Sequence, residues 1–144
     1  MSFTFIDHTA DIALRFEAKD APALLADACL ALRRIYAGRE VAPQVETHRT
    51  IAVATDNEAE LLVRFLNEMI FLFDSEGLLV AGPPNDLSIR PAPAGLNASA
   101  RVPFATLEAS RITPAIELKA ATYHGLRLGR LQDGRLQVTV VIDT

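Results

Sequence analysis

The chain has 144 residues, half of them hydrophobic and 22% charged, which suits one globular domain with its own core and leaves little room for a second. Its single cysteine, Cys29, excludes an intrachain disulfide and a cysteine-based zinc site. A net charge of −4 and a pI near 5.3 argue against independent, tight nucleic-acid binding, which needs Lys and Arg to neutralise phosphates.

The opening Met1-Ser2-Phe3-Thr4-Phe5-Ile6 lacks the basic and apolar regions of a secretory signal. Charges break every apolar stretch before membrane-spanning length, so a soluble, cytoplasmic protein is expected. Next comes Asp7-His8-Thr9-Ala10-Asp11, two carboxylates and an imidazole close together. Such a set can form part of a hard-cation site, or a turn whose Asp side chains bond nearby backbone amides. His8 likewise reads as a metal ligand or as a hydrogen-bonded structural histidine. Ile12 to Phe16 then predicts a strand.

Asp20 is an N-cap with Pro22 tolerated in the first turn, and the helix it opens runs to about Gly38. Leu24, Leu25, Ala28, Cys29, Leu32, Ile35 and Tyr36 share one stripe, while Asp27, Arg33 and Arg34 fall off it towards solvent. Cys29 on that stripe reads as packing, not as a nucleophile. After a strand from Glu46 to Ala54, Thr55-Asp56-Asn57-Glu58 reads as a capping box for a second helix, which continues to about Asp74 with Gly77 as its stop. Leu61, Leu62, Phe65, Leu66, Met69, Leu72 and Phe73 form its buried stripe. Val63, Ile70 and Phe71 extend the apolar character, which predicts cover on more than one side. Glu68 lies at the edge of the stripe, beside Leu61, Phe65 and Leu72 at helical spacing.

Strands follow at Asp86 to Arg90, Asn97 to Val102, Glu117 to His124, Leu126 to Arg130 and Leu136 to Ile142. The loop Pro91-Ala92-Pro93-Ala94-Gly95 can join two of them as a hairpin, and Asp133-Gly134 is a strong hairpin turn. Helices early and hairpins late give an α+β pattern: two amphipathic helices packed on a largely antiparallel sheet, in one domain over residues 1–144.

Two polar groups stand in this late region. In Lys119-Ala120-Ala121-Thr122-Tyr123-His124, Lys119 is either a solvated strand residue or a cation reaching towards an anion or carboxylate. The ending Val138-Thr139-Val140-Val141-Ile142-Asp143-Thr144 is apolar almost to its last residue. A strand stopping there places the Asp143 side chain beside the Thr144 carboxylate, which suits Ca²⁺ or Mg²⁺ if another carboxylate approaches. The alternative is an edge strand with a solvated tip. There is no GxGxxG fingerprint, Walker A loop, GxSxG elbow or HExxH pair. The residues by themselves define an α+β domain with a candidate divalent-cation site.

These same segments resemble the archease family. The resemblance rests on Phe5-Ile6-Asp7-His8-Thr9-Ala10-Asp11-Ile12, Leu61-Leu62-Val63-Arg64-Phe65-Leu66-Asn67-Glu68, Lys119-Ala120-Ala121-Thr122-Tyr123-His124 and Val140-Val141-Ile142-Asp143, in the family's order across nearly the whole chain. The chain departs from the family in having Ala18-Lys19-Asp20 for a glycine-led approach to the first helix, Phe65 where tryptophan is common, and the polar Thr144 for an aliphatic residue.

The resemblance implies an activator of a GTP-dependent RNA ligase, not an enzyme in its own right. That ligase joins 2′,3′-cyclic phosphate or 3′-phosphate ends to 5′-hydroxyl ends in tRNA splicing and RNA repair. The activator promotes ligase guanylylation and multiple turnover, and meets RNA only through the ligase. Asp11 and Asp143 match the family's metal carboxylates, Thr144 the neighbouring ligand position and Lys119 a functionally important lysine. The implied cofactor is a divalent ion, Ca²⁺ or, in function, Mg²⁺ or Mn²⁺; Asp7, His8, Glu68 and His124 are secondary candidates. Rival readings are a general chaperone or folding modulator and a small metal-dependent hydrolase using the same acidic cluster.

Overall fold

Capping residues mark out both long helices of the computed structural model, which describes residues 2–6 and 11–144. Helix α1 (Ala21–Ala37) starts where the extended Asp20 accepts a hydrogen bond from the Ala23 N–H. It stops at Gly38, whose φ of 72° is the left-handed conformation that costs glycine little. Helix α2 (Glu58–Glu76) starts at Asn57, which accepts from the Glu60 N–H, and closes at Gly77. The Glu60 carboxylate accepts from the Asp56 N–H, one residue before the cap, so the reciprocal pair is Asn57 with Glu60, two residues on from the Thr55–Glu58 box that the sequence suggests. A short helix, α3 (Leu107–Ser110), was not anticipated.

The strands form two antiparallel sheets where one was expected. β1 (Phe3–Ile6), β2 (Ile12–Ala18), β8 (Leu136–Asp143) and β7 (Ala120–Arg130) lie in that order in the first. The second has β3 (Thr47–Thr55), β6 (Gly95–Thr106) and β4 (Leu78–Val80) in order, with β5 (Asn85–Ala92) also paired to β6. The reason is α2. Its buried residues Leu61, Leu62, Val63, Phe65, Leu66, Met69 and Ile70 exceed one narrow stripe, and the helix packs on β7 of the first sheet and on β3 and β4 of the second. One hydrophobic cluster therefore joins both sheets and both long helices, with Phe16, Phe65, Phe104 and Leu14 fully enclosed. Enclosing each such side chain contributes about 1.5–3 kcal/mol.

Both anticipated hairpins form. Ala92 pairs with Gly95 between β5 and β6, and Arg130 pairs with Leu136 between β7 and β8. Of the expected Glu117 to His124 strand, the part from Ala120 merges with Leu126 to Arg130 into the single strand β7, which carries a register shift between Thr122 and Arg127, with Gly125 at φ 70°; Glu117 to Lys119 lie before it.

Some side chains depart from the helical pattern. Phe71 is 62% exposed, so the apolar character of α2 outruns its cover. Asp27, assigned to solvent, is 9% exposed and accepts from the Ser2 N–H, because the residue just before β1 lies against α1. Arg33, also assigned to solvent, has a side chain only 14% exposed and donates from Nη1 to the Ala81 carbonyl across 3.1 Å.

Candidate metal centre at one end of the first sheet

Alternation places Leu14 of β2 and Val138, Val140 and Ile142 of β8 in the core, which fixes the register of the two strands. The last paired residues are Ile12 and Ile142. Asp11, just before β2, and Asp143, the last residue of β8, come next. The Thr144 main-chain N–H donates to Asp11 Oδ1 across 3.3 Å, joining residues 133 positions apart. The start of the chain and residues 143–144 therefore meet in the folded molecule.

The other flank of β8 brings in the lysine. Ala120 pairs with Asp143, and the Lys119 N–H donates to the Asp143 carbonyl across 2.8 Å. Lys119 immediately precedes β7 and its side chain is exposed, whereas Asp11, Asp143 and Thr144 are half-buried. Asp143 thus sits between Asp11, just before one neighbouring strand, and Lys119, just before the other.

The remaining sequence candidates are not gathered in the same way. Asp7 and His8 lie outside the described residues. Glu68 is exposed on α2, at the edge of the buried stripe, and His124 is exposed at the β7 bulge. Among the described residues no three His, Cys, Asp or Glu side chains converge as a metal-holding group.

The donor set nevertheless fits a hard cation that keeps other ligands. Two carboxylates and main-chain oxygens are all-oxygen donors, and Mg²⁺ in particular is commonly held by one or two carboxylates with water and phosphate oxygens completing its shell. Carboxylates on adjacent strand ends repel one another unless a positive charge is near.

Sequence reasoning missed Asn67. Its Nδ2–H donates to the Ala121 carbonyl at 3.0 Å, and its Oδ1 accepts from the Ala121 N–H at 2.7 Å. One amide therefore ties α2 to β7 two residues after Lys119. The available signal was a polar residue flanked by the buried Leu66 and Met69 within a helix.

The Archease protein family (MTH1598/TM1083) matches residues 3–144, which takes in both strand ends and the lysine. The chain belongs to the archease family. Curated archeases are similar over nearly their full length. That of Thermococcus gammatolerans is 31% identical over 146 residues, covering 95% of this chain and 94% of the relative. That of Pyrococcus furiosus is 32% identical over 144 residues with the same shares covered. The archease fold is also seen in the solution structure of Methanobacterium thermoautotrophicum protein 1598, with a TM-score of 0.77, 22% identity and 99% of each chain covered. The crystal structure of an archease, possible chaperone, from Thermotoga maritima matches with a TM-score of 0.56 and 24% identity, over 96% of this chain and 94% of the other. At these identities the two structures bear on the fold alone.

Proposed function

We propose that this archease activates a GTP-dependent RNA ligase of the tRNA-splicing and RNA-repair type, and turns over no substrate of its own. The observation that carries the reading is the meeting of Asp11 with Thr144 beside Asp143. It gives a rigid pair of strands an acidic tip with exposed Lys119 at its side. Asp11, Asp143 and a Thr144 oxygen would hold a divalent ion there, Mg²⁺, Mn²⁺ or Ca²⁺, and when bound that ion supplies positive charge for phosphate oxygens. Asp11 and Asp143 bring oxygen donors to the ends of paired strands, the Thr144 N–H orients Asp11, and the exposed Lys119 ammonium would be free to meet a phosphate.

RNA enters this scheme through the ligase. With a net charge of −4, the chain is poorly suited to holding a polyanion alone. The deciding experiment is single-turnover guanylylation of the cognate ligase from GTP with and without this protein. Faster guanylylation and repeated RNA joining are expected. No change in either, with both proteins folded, would overturn the reading.

A folding-modulator role is the second reading, favoured by the exposed apolar side chains of Phe5, Phe71 and Tyr123. Suppression of aggregation of an unrelated unfolded client, in the absence of any ligase effect, would support it instead.

A further inference from the structure

A cavity of about 460 Å³ opens on the second sheet, where β3, β6 and β5 lie side by side. That volume falls among those of small-molecule sites, about 300–1,000 Å³. Strand register builds the wall. Ala52, Ser99 and Ser88 fall in one row across the three strands, and Ala54, Asn97 and Arg90 in the next row on the same face. Arg90 Nε–H donates to Ser88 Oγ at 3.2 Å, which holds its guanidinium against the wall. Arg64 of α2 completes the lining, and its contact to Glu60 is a long 4.0 Å.

The chemistry of this lining is one-sided. It has two guanidinium groups, two hydroxyls and an amide, and no carboxylate. Guanidinium groups pair with phosphate through several directed hydrogen bonds. A phosphate alone leaves most of the volume empty. Beside the arginines, the methyl groups of the exposed Ala52 and Ala54 keep the sheet surface flat and apolar, which suits the face of a planar ring. Asn97 offers both a donor and an acceptor to the edge of such a ring.

We propose that this cavity binds a mononucleotide, its phosphate on Arg64 and Arg90 and its base on the alanine face beside Asn97. A free nucleotide fits better than an RNA strand, because two arginines serve one phosphate group while the net charge of −4 opposes a long polyanion. Asp11, Asp143 and Lys119 take no part in the cavity, so the proposal stands independently of ligase activation.

The test is a titration of the full isotope-labelled chain, followed by amide NMR, with adenosine 5′-monophosphate, adenosine, inorganic phosphate and a short RNA oligonucleotide as separate probes. The monophosphate is expected to move the amides of Ala52, Ala54, Ser88 and Asn97 along a saturating curve, with adenosine and phosphate each binding about tenfold more weakly or less. Arg64→Gln and Arg90→Gln, both at exposed positions, each weaken the monophosphate about tenfold, whereas Asp11→Asn leaves it unchanged. The proposal is overturned if these amides stay unmoved, if both arginine variants bind as well as the unaltered chain, or if the oligonucleotide binds more tightly than the monophosphate.

Discussion

Asn67 and Ala121 exchange two hydrogen bonds, one in each direction, across a sequence separation of 54 residues. Among the described residues β7 is the edge of its sheet, so no described strand lies beside the outward N–H and C=O of Ala121. The Asn67 amide supplies one donor and one acceptor in its place and fixes the strand just past Lys119. Asn67→Ala leaves both backbone groups unpaired and is expected to cost about 1–3 kcal/mol in urea denaturation. Asn67→Asp keeps the acceptor but turns a carboxylate towards the Ala121 carbonyl. Its deficit is expected to shrink as the pH is lowered and the carboxyl gains a proton it can donate.

Asp27 has the opposite sign of pH dependence from the surface acids. Burial raises its carboxyl above the ordinary 3.8, and the hydrogen bond from the Ser2 N–H offsets part of that rise. The folded chain therefore holds this proton more readily than the unfolded one, and Asp27's contribution to stability falls as pH rises from 3.8 through the raised value. Glu76, held down by Arg49, and Asp133, held down by hydrogen bonds from Arg135, lose their contributions as pH falls. Comparing the chain with Asp27→Asn isolates the first effect. The melting temperature of the unaltered chain minus that of the variant is expected to be larger near pH ~4 than near pH ~7. A difference that rises with pH would contradict the assignment.

Gly95 closes the β5–β6 hairpin at φ 149°, where an added Cβ would strike the Thr55 carbonyl oxygen and lie 2.9 Å from Asp56 Cα. Gly77, at φ 67°, would meet nothing within 4 Å. Gly77→Ala is therefore expected to cost only the left-handed backbone strain, about 1–2 kcal/mol. Gly95→Ala adds a clash with main chain that cannot rotate away, and denaturation midpoints should rank it as clearly the worse.

What the sequence disclosed depended on how local each cause is. Asp20 with Gly38, and Gly77 with a cap within Thr55–Glu58, were legible because caps act within one turn, although the cap proved to be Asn57; Asp133-Gly134 marks a turn for the same reason. β4, the fully buried Leu78–Val80 directly after Gly77, was missed because a short apolar run has no readable period. His124-Gly125 looked like a break between strands and is a bulge within one, since only pairing to β8 shows that the strand continues. Phe71 and Asp27 defeated the helical pattern, which records spacing and not what lies opposite each face. At the candidate centre, the residue types were legible at Asp11, Lys119 and Asp143. Their convergence followed from the β2–β8 and β7–β8 registers, which are set by tertiary packing, and the supporting Asn67 had no chemical motif to announce it.

The most direct measurement is multiple-turnover RNA joining by the cognate ligase with the unaltered chain, Asp11→Asn and Asp143→Asn. Asparagine keeps an oxygen acceptor for the Thr144 N–H at position 11 while removing the charge, so folding should persist, as a melting curve would show. The account predicts that both variants leave the ligase at the rate it shows alone. Folded variants that stimulate as strongly as the unaltered chain would contradict it.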